Sequence, residues 1–296
     1  MHEQGPTRRE PTSLLPWTGV AAVAAWGLSF VATRVALEGF TPAGLVTARL
    51  VVGSALLAAL LRRRGETLLP RREDRLRCAL LGAVLGGHIL LQTVGLRFTT
   101  AVRTGWIIAL IPALIAAANH LVLGQRLRGG GWIGLLVASG GVALVTSTTP
   151  AGFADAGLGD LLMLVSCFSW TLYTLLAADV ARRNGSLRVT AVALGVAGLV
   201  VACAVPYEGV TVGAPPTQAW VALAFLAVVC SGLAYLLWSQ ALTTHGATRA
   251  GATLYYEPLV TLVAAVALLG EPAGANTLVG GAGVLLGVWM VGRGAD

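Results

Sequence analysis

The stretch "LYYEPLVTLVAAVALLGEP" (residues 254–272) is almost entirely apolar, yet it carries Glu257 followed directly by Pro258. A run of this length and composition is typical of a helix that crosses a bilayer, which takes roughly 20 residues. A carboxylate is costly in hydrocarbon, and a proline removes a backbone donor from a helix interior. The stretch therefore predicts a membrane-spanning helix that is broken along its length and has an ionisable residue at the break.

The composition of the whole chain is that of a polytopic membrane protein. Of its 296 residues, 56% are hydrophobic and 11% are charged, whereas a soluble domain carries roughly 25% charged residues. All 20 basic residues are arginine, so the chain has no lysine for a Walker A loop or a Schiff base. The four cysteines are widely spaced, which is typical of neither a disulfide framework nor a zinc site. We expect no metal and no cofactor.

Ten segments are apolar and long enough to cross a hydrocarbon core of about 30 Å. The predicted spans are 14–33, 42–61, 77–96, 101–123, 131–147, 158–178, 189–206, 217–242, 248–269 and 275–291. The predicted fold class is therefore an all-α polytopic membrane protein with ten transmembrane helices. A cleaved signal peptide is an alternative for the first span, since Arg8 and Arg9 precede it; its removal would leave nine spans.

The arginines divide unevenly between the two ends of these spans. With the N-terminus inside, sixteen arginines fall inside and three fall outside, at Arg34, Arg97 and Arg103; Arg49 falls within a span. Cytoplasmic loops of membrane proteins carry such an excess of basic residues. We therefore expect a multi-pass protein of the plasma (inner) membrane with both termini cytoplasmic. The net charge of +7 is then explained by the basic loops that orient the protein in the lipid bilayer. For this reason we expect no nucleic-acid partner.

The chain repeats itself without a gap when residues 96–145 are shifted by 146 positions. The matches that chance similarity explains least are Arg103 with Arg249, Pro112 with Pro258, Gly124 with Gly270, Gly134 with Gly280 and Gly141 with Gly287. Each half holds five predicted spans, and because five is odd the second half enters from the opposite face. Inverted repeats of this kind are common in secondary transporters.

This repeat predicts a definite domain organisation. It consists of a cytoplasmic N-terminal tail (1–13), a first repeat (14–147), an external linker (148–157), a second repeat (158–292) and a short cytoplasmic tail (293–296).

Three stretches also carry a resemblance to a known family: "WGLSFVATRVALEGFTPAGLVTARL" (26–50), "IPALIAAANHLVLGQRL" (111–127) and "YEPLVTLVAAVALLGEP" (256–272). With them the chain resembles the EamA branch of the drug/metabolite transporter superfamily over residues 15 to 292. The resemblance implies ten helices in two inverted five-helix EamA repeats, and a Glu-Pro pair at 257–258 is typical of that branch. One departure is Gly124-Gln125, where the family has Gly-Glu; the second half keeps Gly270-Glu271.

Two charged residues are candidates for the transport site. An ionisable residue inside a span is a functional hypothesis by default, and Glu257 lies near the middle of its span. Arg49, within the second span, lies at a similar predicted depth. If the two pair, a cavity between them suits a zwitterion such as an amino acid. The alternatives are a structural acid bonded to a neighbouring helix and an arginine that extends to the lipid headgroups.

Aromatic and polar residues recur at matched places in the two halves and suggest a mid-membrane cavity. Small-molecule sites are apolar and aromatic with a few polar groups. The candidate lining residues are Trp26, His88, Gln92, Trp106, Trp170, Tyr173, Trp238, Tyr255 and Tyr256, together with Arg49 and Glu257. Packing against lipid or between helices is the alternative for any one of them. Pro112 and Pro258 are predicted to kink their helices, because each removes a backbone hydrogen bond.

The function predicted from these features is secondary transport, with export as the favoured direction. We expect small organic metabolites, such as amino acids or drug-like compounds, to pass through a central cavity by alternating access, with the protein as a monomer by default. One alternative is an intramembrane enzyme, but the sequence has no His-Glu-x-x-His and no enzyme activity is expected. The other alternative is a membrane scaffold or sensor that transports nothing. Proton coupling through Glu257 is a further hypothesis.

Overall fold

A computed structural model describes residues 17–124, 128–147 and 156–294. Within these ranges the chain is helical, without strands, and one isolated β-bridge joins Phe40 to Thr211. Gln125, the predicted tail 1–13 and most of the predicted linker 148–157 lie outside the described residues.

The first half consists of six helices that run back and forth. They are α1 (Trp17–Ala36), α2 (Pro42–Arg63), α3 (Arg75–Gly95), α4 (Ala101–Ile108), α5 (Ile111–Leu123) and α6 (Gly129–Thr146), with a 3₁₀ turn at Arg72–Asp74 before α3. The start of α2 follows from its sequence, because the Thr41 side chain accepts a hydrogen bond from Gly44 N at 3.0 Å and Pro42 occupies the first turn.

The second half follows a similar pattern with more interruptions. It contains α7 (Ala156–Asn184), α8 (Ser186–Ala202), α9 (Val205–Glu208), α10 (Thr217–Phe225), a π-helical segment (Leu226–Leu233), α11 (Ala234–Ala252), a 3₁₀ turn (Thr253–Tyr256), α12 (Glu257–Leu269) and α13 (Ala275–Gly294).

Among the described residues, eight helices are long and apolar enough to cross a membrane, and they match eight of the ten predicted spans. The predicted spans 189–206 and 248–269 correspond to shorter apolar helices, Ser186–Ala202 and Thr253–Leu269. The loop predicted between residues 242 and 248 is wrong, because α11 stays helical from Ala234 to Ala252.

Both halves contain an interrupted helix next to the repeated proline. In the first half α4 ends at Ile108 and α5 begins at Ile111, one residue before Pro112. In the second half a 3₁₀ turn separates α11 from α12, which begins at Glu257. Both second pieces end on a left-handed glycine, Gly124 with φ 66° and Gly270 with φ 65°. The repeat seen in sequence thus recurs in the backbone.

The contact between α6 and α13 shows how the two copies are related. A Cβ on Gly134 would lie 2.5 Å from Gly287 O, and a Cβ on Gly141 would lie 2.5 Å from Gly280 O. A shift of 146 residues turns Gly134 into Gly280 and Gly141 into Gly287, so it exchanges the two contacts. A two-fold axis that relates the halves would exchange these two contacts in the same way. The α6–α13 contact therefore indicates a two-fold relation between the halves.

The two ends of the helix array differ in charge. At one end, here called the arginine-rich end, the chain around residues 62–77 meets the chain around residues 182–188, for example through Arg183 and Asp74 at 2.7 Å. At the other end, here called the opposite end, the 96–100 loop between α3 and α4 lies beside the start of α7, with Thr99 Oγ1 2.7 Å from Asp160 Oδ1.

Candidate functional site

A cluster of aromatic rings lies where α1, α7 and α11 meet, inside the helix array. Trp26 is at its centre, with ring centroids 5.2 Å from Trp170, 5.1 Å from Tyr235 and 5.4 Å from Trp238. Tyr173 stacks on Trp170 at 5.3 Å. All five side chains are buried. Because the rings come from both halves, this cluster, here called the chamber, lies between the two repeats.

The π-helical segment is the local feature that orients two chamber residues. π segments are rare and occur mostly at functional sites, since they re-aim backbone groups. Here Cys230 O, within this segment, accepts a hydrogen bond from Trp26 Nε1 at 3.1 Å. The next residue, Ser231, accepts a hydrogen bond at its Oγ from Arg49 Nε at 3.0 Å. One irregular turn therefore holds both the central tryptophan and the buried arginine.

Arg49 brings a positive charge to the chamber. It is only 5% exposed, although it lies in α2, the second membrane-spanning helix. Its Nε donates to the neutral hydroxyl of Ser231. It is close enough to Tyr235 and His88 to act on both electrostatically. Its charge therefore faces the aromatic rings and is not extended to the lipid headgroups.

Glu257 brings the opposite charge. It is the first residue of α12, just after the 3₁₀ turn, and is 7% exposed. Tyr235 and Cys167 lie within its electrostatic range. Within the described part of the chain, no hydrogen bond or ion pair reaches its carboxylate, and none joins it to Arg49. Tyr235 is thus within electrostatic range of both Arg49 and Glu257, which are not paired with each other among the described residues.

Two donors in the chamber wall also have no partner among the residues that the structure describes. The indole Nε1 atoms of Trp170 and Trp238 are buried, and no described residue accepts from either. Native proteins leave few buried donors unpaired. Together with the Glu257 carboxylate, these N–H groups supply polar atoms that a ligand in the chamber can use.

The remaining predicted residues take other places. His88 lies against the Trp170 ring at 5.0 Å, and Gln92, one turn further along α3, is half-buried. Trp106 is buried against the backbone of Gly281 in α13. The Tyr255 hydroxyl donates to Val288 O at 2.7 Å, also in α13. The Tyr256 side chain is 42% exposed, so these last three side chains are not brought to the chamber.

Two chamber residues were not among the predicted site residues. Tyr235 was signalled by its i, i+3 spacing to Trp238, which places both on one face of a helix. No sequence pattern marked Ser231 as a site residue, because a single serine in an apolar run is common. Its role depends on the π-helical segment, in which its hydroxyl meets Arg49. In the described part of the chain, no group of three His, Cys, Asp or Glu side chains could hold a metal ion.

Comparison with known proteins decides the family. The model of the EamA-like transporter family matches the chain twice, over residues 16–147 and 157–293. The chain belongs to the EamA-like transporter family. The family resemblance inferred from the three sequence stretches is thereby confirmed, as is the presence of two copies of the EamA repeat.

Relatives of this EamA-like chain are named as transporters and match it over nearly their full length. An "Uncharacterized transporter" of Archaeoglobus fulgidus is 27% identical over 274 residues, which is 90% of this chain and 92% of the relative. A "Probable terminal-alkyne amino-acid exporter" of Streptantibioticus cattleyicolor is 27% identical over 278 residues, covering 94% and 93%.

A third relative and one solved structure extend this comparison. The "Uncharacterized inner membrane transporter YedA" of Escherichia coli is 25% identical over 268 residues, covering 87% and 84%. A solved structure titled "Crystal structure of protein" superposes with a TM-score of 0.69 at 22% identity, covering 93% of this chain and 94% of that one. The last of these shows the fold alone.

Proposed function

We propose that the chain is a secondary transporter that exports small organic metabolites by alternating access through the chamber. It does so with ten spans in two inverted repeats, including the two short helices α8 and α12. The observation that carries the proposal is the chamber itself, where aromatic rings from both halves lie close to a buried guanidinium and to a buried carboxylate that has no partner among the described residues. Membrane proteins retain such charges inside spans where substrates or ions pass.

The substrate class follows from the two charges and the rings between them. Arg49 retains donors for a carboxylate, Glu257 retains acceptors for an ammonium group, and the aromatic faces attract both cations and apolar groups. A small zwitterion with an apolar side chain, such as an amino acid, uses all three. The relative named as an amino-acid exporter supports this class.

The orientation proposed places the arginine-rich end and both termini in the cytoplasm, with the opposite end outside the inner membrane. The uneven distribution of arginines supports it, as does the inner-membrane relative. The described chain works as a monomer in the lipid bilayer, because both halves of the chamber come from one chain.

The first test is ligand-induced thermal stabilisation of the detergent-purified protein. The panel contains amino acids, nucleosides, sugars and cationic drugs, because a compound that binds only the folded state raises its melting temperature with concentration. We expect an apolar zwitterion to stabilise the wild type and not Glu257→Gln. Glu208→Gln is the matched control, since Glu208 is an exposed acid that instead bonds Ala43 N at the opposite end. It should keep the full ligand response.

Transport itself is then measured in proteoliposomes with the compound that binds. Exchange of labelled compound across the membrane is expected for a transporter. Binding without exchange would support the sensor alternative, and chemical conversion of the compound would support the enzyme alternative. An imposed pH gradient that leaves the flux unchanged would exclude proton coupling through Glu257 and favour facilitated diffusion.

A further inference from the structure

Helices α3 and α7 form a seam between the two halves, because α3 belongs to the first repeat and α7 to the second. They run antiparallel and touch at both ends and in the middle. At the opposite end their backbones pack so closely that a Cβ on Gly159 would lie 2.9 Å from Gly95 O. Near the middle, His88 Nδ1 donates to Ser166 O at 3.0 Å. His88 also lies on the Trp170 ring, so the seam borders the chamber.

The opposite end of this seam is closed by a buried aspartate. Asp160, near the start of α7, accepts hydrogen bonds from Thr99 Oγ1 at 2.7 Å and from Arg103 Nε at 3.3 Å, and it forms an ion pair with Arg103 Nη2. Arg103 also donates to Val145 O at 3.0 Å and Thr146 O at 3.3 Å. We call the trio of Asp160, Arg103 and Thr99 the first latch.

Two further side chains hold the same loop in place. Glu271, from the second half, accepts hydrogen bonds from Ala101 N at 3.0 Å and Val102 N at 2.9 Å, at the start of α4. Arg34 donates to Leu96 O at 2.8 Å and to the carbonyl of residue 99 at 3.1 Å. Carboxylates and backbone N–H groups form strong hydrogen bonds at a helix N-terminus. The loop at this end of the seam is thus held by three charged side chains, those of Asp160, Glu271 and Arg34.

The arginine-rich end of the same seam is closed by a second buried aspartate. Asp74, just before α3, accepts from Arg183 Nη2 at 2.7 Å and Nε at 3.2 Å, and from Asn184 Nδ2 at 2.7 Å. Asn184 in turn accepts from Arg71 N at 2.8 Å. We call Asp74, Arg183 and Asn184 the second latch. Arg183 is partly exposed and also pairs with Asp179 on its own helix at 2.6 Å. Each latch therefore centres on a buried aspartate that binds an arginine and one neutral partner.

Ion pairs of this kind suit parts that open and close. A buried ion pair gains little net free energy, because the loss of hydration offsets most of the attraction between the charges. When the seam parts and water enters, both charges recover that hydration. At the opposite end water is already near, since a cavity of about 380 Å³ lined by Arg34, Glu38, Arg97 and Glu271 opens above the loop.

We propose that the two latches are the gates of the transporter, one at each end of the α3–α7 seam. With both latches closed, as here, the rings of the chamber are buried. Opening the first latch exposes the chamber at the opposite end, and opening the second exposes it at the arginine-rich end. The contact of His88 with Ser166 near the middle serves as the pivot. The proposal rests on alternating access as the proposed function.

The test uses the native cysteines as reporters. Cys167 in α7 and Cys230 in the π segment are buried beside the chamber, whereas Cys203 is exposed. In a Cys203→Ser background, a membrane-impermeant methanethiosulfonate is added either to the face that carries the opposite end or to the face that carries the arginine-rich end. Intact cells and inside-out vesicles give access to the two faces. The rates at which Cys167 and Cys230 are modified are measured by mass spectrometry.

Asp160→Asn and Asp74→Asn are a matched pair, because each removes the charge from one latch only. Asp160→Asn removes the carboxylate that binds the buried Arg103, which is costly. Asp74→Asn leaves Arg183 paired with Asp179 on its own helix, so it removes the charged link between α3 and α7. We expect Asp160→Asn to raise modification from the opposite-end face by about tenfold or more and to leave the rate from the arginine-rich face unchanged. Asp74→Asn should do the reverse.

Equal increases from both faces, or no increase from either face in folded protein, would overturn the assignment of the gates. If an aspartate variant fails to give monodisperse protein, Thr99→Val decides, since it removes one hydrogen bond to Asp160 without changing charge. It should raise modification from the opposite-end face alone. The labelling needs no substrate, so it is independent of the binding test. If each aspartate variant is labelled faster from one face only but no compound in the panel binds, the substrate class is refuted and the gates stand. If the protein transports a compound but labelling rises equally from both faces, only the assignment of the gates is refuted.

Discussion

Glu257 combines the properties of a functional residue with a cost in stability. Its carboxylate is buried, and within the described residues it has no donor. Burying such a group without a partner is unfavourable, and protein sites often give up stability for binding in this way. A structural acid would instead be held by hydrogen bonds from a neighbouring helix.

The ligand-free stability of Glu257→Gln separates these two roles. Since the amide is neutral and nearly the same size, we expect the melting temperature of the purified variant to equal or exceed that of the wild type, while the ligand response is lost. Differential scanning fluorimetry in detergent measures both. A melting temperature several degrees below wild type would mean that the carboxylate is a structural acceptor.

At the scale of elements, the closest helix contact in the fold depends on glycine. Along α6 and α13 the two backbones approach so closely at Gly134–Gly287 and Gly141–Gly280 that a side chain has no room. Small residues allow such approach in membranes, where packing and not the hydrophobic effect holds helices together. The α6–α13 contact therefore leaves no room for added volume at these four glycines.

Neighbouring glycines in α6 provide a matched comparison. A Cβ at Gly141 would lie 2.5 Å from Gly280 O and 2.6 Å from Val284 N, whereas a Cβ at Gly140 would meet nothing within 4 Å. We expect Gly141→Ala to lower stability by about 1–3 kcal/mol, as overpacking does. Gly140→Ala should be neutral or stabilising by up to about 1 kcal/mol, because alanine favours helix. Equal melting temperatures for the two variants would contradict the packing described.

At the scale of the whole molecule, orientation can be read from one native thiol. Cys203, at the end of α8, is exposed and lies at the opposite end, near the contact of Glu208 with Ala43. With the arginine-rich end cytoplasmic, an impermeant maleimide added to intact cells should label Cys203, and Cys203→Ser should abolish the label. Labelling only in inside-out vesicles would reverse the proposed orientation.

The sequence predicts those parts of the fold that depend on local composition. Apolar length locates the spans, and the matched Pro112 and Pro258 locate the interrupted helices. The end of α11 was misplaced because residues 243–252 are rich in threonine and glycine, which are weak helix formers, and yet the chain stays helical to Ala252. In the site, ring positions such as Trp26 and Trp170 follow from the repeat.

The latches and the π segment could not be predicted in this way. Asp160 meets Arg103 across 57 residues and Asp74 meets Arg183 across 109, and pairing at such separations is set by tertiary packing. Ser231 is likewise an ordinary polar residue in an apolar run, and it becomes a partner of Arg49 only because the helix widens there.

The crossing of α6 and α13 has an evolutionary consequence. Its two glycine contacts exchange under the repeat, so within one chain it has the form of an isologous dimer interface. In an ancestral dimer of single repeats, a substitution at either glycine would have changed the interface at two symmetric places. Such a dimer would also have required two subunits inserted with opposite topology. Fusion fixes their stoichiometry and antiparallel arrangement covalently. It also frees the two copies to diverge, as Gln125 and Glu271 have done.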